Sequence, residues 1–352
     1  MGTGGQGGAV RVPADPLEAA VEFLERVGFR LEEIAPADDP CQASMTGHGL
    51  RLVLDRAHRG AIELVVPADG TLAPGRYLGP GGLVVDVAVP RGQDQPPAAP
   101  AFVHTRYFEA PFHPGRAGLL YRDLLPSRLG GRWVASHIRA AQGGPIADRV
   151  HHHGVRLQLI YCLAGEAELV YQGQPSPFTF RAGDLVLQPP GLRHRVLSAS
   201  AGFEVVEVAS PAWHTTSIDH EMVLPSPDRA PDRVLSGQRF LHAVADRCPP
   251  GQLTPEIEER DLGLHAASGG LADARALRFQ GAGTVELRDA DDLRFVFVNE
   301  GSGSVQGATR TGLATYDAVA LPPGPFQLSG SPGLRVLEVT CRARSLDSAR
   351  DW

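Results

Sequence analysis

The residues best suited to chemistry lie in one stretch, HHHGVRLQLIYCLAG, from His151 to Gly165. On an extended chain, residues two apart share a face. His151 and His153 therefore point one way and His152 the other. Further along, GDLVLQPPGLRH sets Gly183, Pro189 and Gly191 ahead of His194. Those glycines and prolines form a tight turn that swings His194 back toward the first strand. Neutral imidazoles arriving from two strands inside a β-barrel are what a divalent metal ion needs.

Such a site has to be carried by short strands, and the composition supplies them. Glycine (41) and proline (30) are abundant in the 352 residues, which favours many short elements joined by tight turns. The net charge of −7 and the lack of a Lys/Arg run argue against a large phosphate-binding surface, so no nucleic-acid partner is expected. The chain contains no lysine, which excludes Schiff-base chemistry. Cys41, Cys162, Cys248 and Cys341 show no CxxC spacing, and a reduced, cytoplasmic protein is expected. The N-terminus lacks the apolar core of a signal peptide and no run approaches a membrane span, so no membrane partner is expected.

Along the chain, residues 1–9 read as a flexible tail. DPLEAAVEFLERVGF is the most helix-like segment, with Asp15 as cap and Gly28 as stop. FRLEEIA, ASMTGHGLRLVLD and AIELVVP follow as strands. Glu63, on the last of them, reads as an exposed strand residue rather than a ligand. PRGQDQPPAAP, residues 90–100, is a linker by composition. Beyond it the pattern is strands and turns to the C-terminus, with a connector at LPSPDRAPDR. The expected division is an α+β module over 10–96, a barrel over 97–227 and a second barrel over 228–352.

The two histidine motifs resemble those of the cupin superfamily, small jelly-roll barrels. The first motif of that family runs His, one residue, His, three or four residues, Glu, six residues, Gly. Here it reads His151, His153, four residues, Gln158, six residues, Gly165. The second, from Gly183 through Pro189 and Gly191 to His194, is met at every position. A leading glycine is displaced by one residue, Gly144 being the nearest. The resemblance covers about residues 130–210. It implies a mainly β fold of two cupin jelly-roll (double-stranded β-helix) barrels, and His151, His153, Gln158 and His194 as metal ligands. The phrase FLERVGFRLEE gives the N-terminal region a fainter likeness to a βαβββ module of the vicinal-oxygen-chelate (glyoxalase-like) fold.

The second block repeats the pattern without the ligands. Arg294 aligns with Gln158, Gln327 with His194, and Leu287 and Asp289 with the His151–His153 pair. This copy reads as a barrel without metal. WHTTSIDH, Trp213 to His220, reads as a cover over the barrel end.

Glutamine in place of glutamate leaves the charge of a bound dication uncompensated, which favours an anionic substrate such as an enolate or carboxylate. Arg156, sharing strand parity with Gln158, reads either as an anion-binding residue at the mouth or as a solvated arginine of the rim. The expected function is a metal-dependent dioxygenase acting on a small organic anion, with one divalent ion. Fe(II) is expected first, with Zn(II), Ni(II) or Mn(II) as alternatives. A non-redox zinc isomerase, cyclase or lyase is the second reading, and a non-catalytic small-molecule binder the third. A homodimer is compatible with the sequence.

Overall fold

LQLIYCLA alternates in a way that gives one strand two buried faces. In the computed structural model, which describes residues 8–67, 73–78, 84–88 and 101–342, the strand Leu157–Ala164 turns Gln158 and Ile160 inward. It turns Leu157, Leu159, Tyr161 and Leu163 outward. The residue 1–7 part of the expected tail and the linker around 97 lie outside the described residues.

Two jelly-roll barrels result, each of two facing sheets. In the first, Leu157–Ala164 lies between Leu185–Leu187 and Glu204–Ser210, and Val134–Arg139 and Leu120–Asp123 follow outward. The facing sheet orders Phe178–Arg181, Glu166–Tyr171, His194–Ala199, His151–His153 and Thr216–Ile218. The second barrel reproduces the arrangement. Leu293–Glu300 pairs with Ala318–Ala320 and Arg335–Cys341, opposite a four-stranded sheet that includes Ser302–Gln306 and Gln327–Gly330. Gly165 and Gly301, aligned in sequence, both have positive φ, 67° and 89°. A Cβ at either would lie 2.8 Å from a backbone Cα, of Phe203 or Leu334 respectively. Only glycine fits both demands.

The barrels exchange strands. Leu241–Ala243, after the connector, pairs with Leu185–Leu187 of the first barrel. Val103–Thr105, before the first barrel, pairs with Ala318–Ala320 of the second. The sheets are therefore not divided at a single point near residue 228. Their outer faces meet in one apolar core holding Trp133, Leu159, Leu187, Phe295, Phe297 and Leu337. Burying that many large side chains at about 25 cal/mol per Å² is the main force joining the barrels. At its margin the buried Asp292 accepts from Trp133 Nε1 at 3.1 Å, Arg156 at 2.6 Å and Arg132.

The N-terminal module opens strand, helix, strand as expected, but ASMTGHGLRLVLD, expected as one strand, is a hairpin of Gln42–Gly47 and Leu50–Asp55, and Glu63–Pro67 follows as a fourth strand after the helix. Ala9–Pro13 runs parallel to Leu50–Asp55, and the helix Leu17–Arg26 seats Leu17 with Ile34, Met45 and Leu54. Asp15 does not cap the helix; it pairs with Arg59 at 3.0 Å. Glu63, expected to be exposed, is buried between Arg11, at 3.2 Å, and Arg76. The module joins the first barrel edge to edge, with Arg30–Ala35 antiparallel to Thr216–Ile218. Among the described residues no helix is long and apolar enough to cross a membrane.

Candidate metal centre

His151 pairs directly with His194 across neighbouring antiparallel strands, and His153 follows two residues on along the same face. The Pro189–Gly191 turn does what its composition suggested: Gly191, at φ 72°, reverses the chain just before His194. The three rings are buried, with centroids 4.2 to 5.1 Å apart, and one nitrogen of each lies within 4.8 Å of the others.

The outer nitrogens decide which tautomer faces inward. His151 Nδ1 lies 2.7 Å from the Arg149 carbonyl and His194 Nδ1 lies 2.9 Å from the Leu192 carbonyl. A carbonyl only accepts, so both Nδ1 atoms carry the proton and both Nε2 atoms turn a lone pair inward. His153 Nδ1 is held at 3.0 Å by Thr216 Oγ1. Burial holds all three imidazoles neutral, pushing His194 down to about 4 and the other two well below 6.5. Neutral rings with anchored outer nitrogens are a ligand set in the form a metal ion requires.

Gln158 joins them. Its side chain is 1% exposed, and its amide N–H donates to the Glu207 carboxylate. Among the described residues its Oε1 is buried without a partner. A buried carbonyl oxygen left orphaned beside three imidazole lone pairs fits a cation and is costly without one. The four residues line one cavity of about 90 Å³, whose remaining wall is largely apolar.

Arg156 is elsewhere, which corrects the sequence reading. The strand begins only at Leu157, so the parity argument does not reach it. Its guanidinium pairs with Asp292 of the second barrel and stacks 5.2 Å over Trp133. Arg116 takes the place assigned to it. The Arg116 guanidinium enters the cavity, donating to Asp148 at 2.6 Å and to His151 Nε2 at 2.8 Å, and its Nη1 is buried without a partner among the described residues. It comes from a short turn, Arg116–Gly118, with Ala117 at φ 57°. No sequence motif marked it.

Glu207 was also missed, and it revises the charge argument. It stands on Glu204–Ser210, the strand beside Gln158, and faces the same cavity. Burial raises its carboxyl to about 7. The acidic group absent from the ligand position is therefore present one strand away. FEVVEVAS hid it as an ordinary alternating strand. His214 lies beside the centre, its ring 5.7 Å from His153, while His220 bonds the Leu31 carbonyl of the N-terminal module at 2.8 Å. That module also supplies Ala37 to the cavity wall.

In the second barrel the positions diverge as the alignment indicated. Leu287 joins an apolar interior, and Arg294, 2% exposed, donates to the carbonyls of Gly324, of Pro322 at 3.2 Å and of Leu287 at 3.3 Å. A guanidinium occupies the place where the first barrel presents an amide.

Residues 137–209 match the family described as the cupin domain. That stretch is a cupin domain.

Similar solved structures agree on the fold. The Mn(II)-containing oxalate decarboxylase of Bacillus subtilis is 11% identical, with TM-score 0.51 over 73% of this chain and 81% of that chain. Salicylate 1,2-dioxygenase of Pseudoaminobacter salicylatoxidans with gentisate is 15% identical, with TM-score 0.50 over 70% and 82%. Protein Ylba of E. coli is 11% identical, with TM-score 0.52 over 71% and 93%. At such identities the likeness is one of fold. None of these matches carries the glyoxalase-like resemblance of the N-terminal module, and no curated protein matches the sequence.

Proposed function

We propose that the first barrel holds one divalent metal ion through His151, His153, His194 and Gln158 Oε1, and that the protein is a metal-dependent enzyme for a small organic anion. The observation that carries this is the orphaned Gln158 oxygen beside three neutral imidazoles whose outer nitrogens are tied. The ion supplies Lewis acidity and, if it is iron, the one-electron chemistry that dioxygen requires. The chain's own groups do the rest. The Nη1 of Arg116 offers a carboxylate or enolate oxygen a charge-assisted hydrogen bond. Glu207, at about 7, is poised to take or return a proton near neutral pH. The apolar wall and the Ala37 loop keep bulk water from the anion.

A dioxygenase is the first reading, supported by the fold shared with salicylate 1,2-dioxygenase. The zinc-type isomerase or lyase is the second, and Glu207 favours it by supplying the base that Gln158 cannot be. Assay of the iron- and zinc-loaded protein against a panel of small carboxylates and enols, with and without oxygen, separates them. Turnover with iron that stops without oxygen is expected. Undiminished anaerobic turnover with zinc alone removes the dioxygenase and leaves the second reading.

A further inference from the structure

A second cavity, of about 320 Å³, opens between the barrels on the far side of the Gln158 strand. Tyr161 and Leu163 line it, whereas Gln158 and Ile160 of the same strand line the histidine cavity. Its other wall is the second barrel's sheet, which brings Arg260, Arg278 and Arg335 to one cleft, with Asn299 at the edge.

The arginines are arranged against electrostatic preference. Arg278 and Arg335 are direct cross-strand partners, a like-charge pairing that weakens a sheet. Each is only loosely offset by a carboxylate, Glu258 at 3.6 Å from Arg278 and Glu300 at 3.5 Å from Arg335. Arg260 forms no ion pair among the described residues, and its Nε is buried without a partner. Within the cleft three guanidiniums face a single carboxylate, that of Glu258. Gly183, at φ 91°, lines the cleft beside Arg260: a Cβ there would sit 3.1 Å from Ala245 Cβ and 3.6 Å from Arg260 Nη1.

We infer that this inter-barrel cleft is a binding site for a small multivalent oxyanion, a phosphate or a di- or tricarboxylate, clamped by Arg260, Arg278 and Arg335. Planar guanidiniums converging from three adjacent strands match oxyanion geometry, and Asn299 and the Tyr161 hydroxyl add neutral donors. The fields of Arg260 and Arg335 already oppose the upward push of burial on that hydroxyl, which stands at about 12. The site is separate from the histidine cavity and does not depend on the reaction assigned to it.

Calorimetric titration of the full chain with inorganic phosphate and with citrate, at low ionic strength, tests the site. One equivalent of at least one probe is expected to bind saturably. Arg260→Gln should weaken it at least about tenfold. Arg278→Gln, at an exposed position that folding tolerates, should weaken it severalfold. His194→Ala should bind as wild type does. Binding of phosphate alone identifies a phosphate site, and binding of citrate alone a carboxylate site. Absence of saturable binding by both probes overturns the inference. So does binding indifferent to both arginine changes, or binding lost in His194→Ala.

Discussion

Glu207 shows what a single residue adds to the account. A cupin motif with glutamine at the acidic position would leave the centre without a carboxylate, yet Glu207 supplies one against the Gln158 amide. Its burial favours the neutral acid and places its titration at about 7, near the range where a proton donor or acceptor works best. Glu207→Gln should retain metal, lower turnover about 100-fold or more, and flatten the limb of the pH–rate profile near 7. A profile unchanged in that variant would remove Glu207 from proton transfer. Gln158→Glu tests the charge argument from the other side. It should tighten divalent metal and weaken a bound carboxylate such as oxalate, measured by competition. Unchanged carboxylate affinity would count against it.

At the scale of elements, the strands were legible because alternation was strong, as in LQLIYCLA, and because each motif carried its own turn. His151, His153, Gln158 and His194 were legible for the same reason: their spacing encodes both face and turn. Arg116 and Glu207 were not, since one lies on an irregular turn and the other looks like any residue of an alternating strand. Arg156 misled because parity holds only inside a strand, and this one starts a residue later. The strand exchange was invisible as well, because LHA and VHT carry no mark of the barrel they join. It has a consequence. Residues 97–227 expressed alone would lack the Leu241–Ala243 strand and expose the apolar face of Leu159 and Leu187. That fragment should aggregate, as size-exclusion chromatography would show; a soluble, monodisperse monomer would contradict the shared core. Gly165→Ala tests the turn both barrels repeat. Forcing a Cβ into the left-handed region costs about 1–2 kcal/mol before its approach to the Phe203 backbone is counted. Denaturant unfolding should register at least that loss.

For the whole molecule, neutral histidines make stability depend on pH in a defined direction. His137, His151, His152, His153, His194 and His214 are all held below their ordinary 6.5, chiefly by burial. Below 6.5 the unfolded chain takes up protons that the folded one refuses, so the free energy of unfolding falls as pH drops from about 6.5 toward 4. Glu207 and Glu338, whose carboxyls are raised, act in the opposite sense, but they are two groups against six. Metal-depleted protein should therefore melt at progressively lower temperature across that window, and bound metal should raise the melting temperature without removing the slope, because it too keeps the histidines unprotonated. A melting temperature independent of pH between 6.5 and 4 would contradict the buried neutral centre.

Elemental analysis of purified protein beside its His194→Ala and Gln158→Ala variants goes most directly to the central claim. About one equivalent of a divalent transition metal is expected in the wild type, nearly none in His194→Ala and a reduced amount in Gln158→Ala, with all three folded by circular dichroism. Equal metal content in wild type and His194→Ala would mean that the three imidazoles and the amide do not form the site.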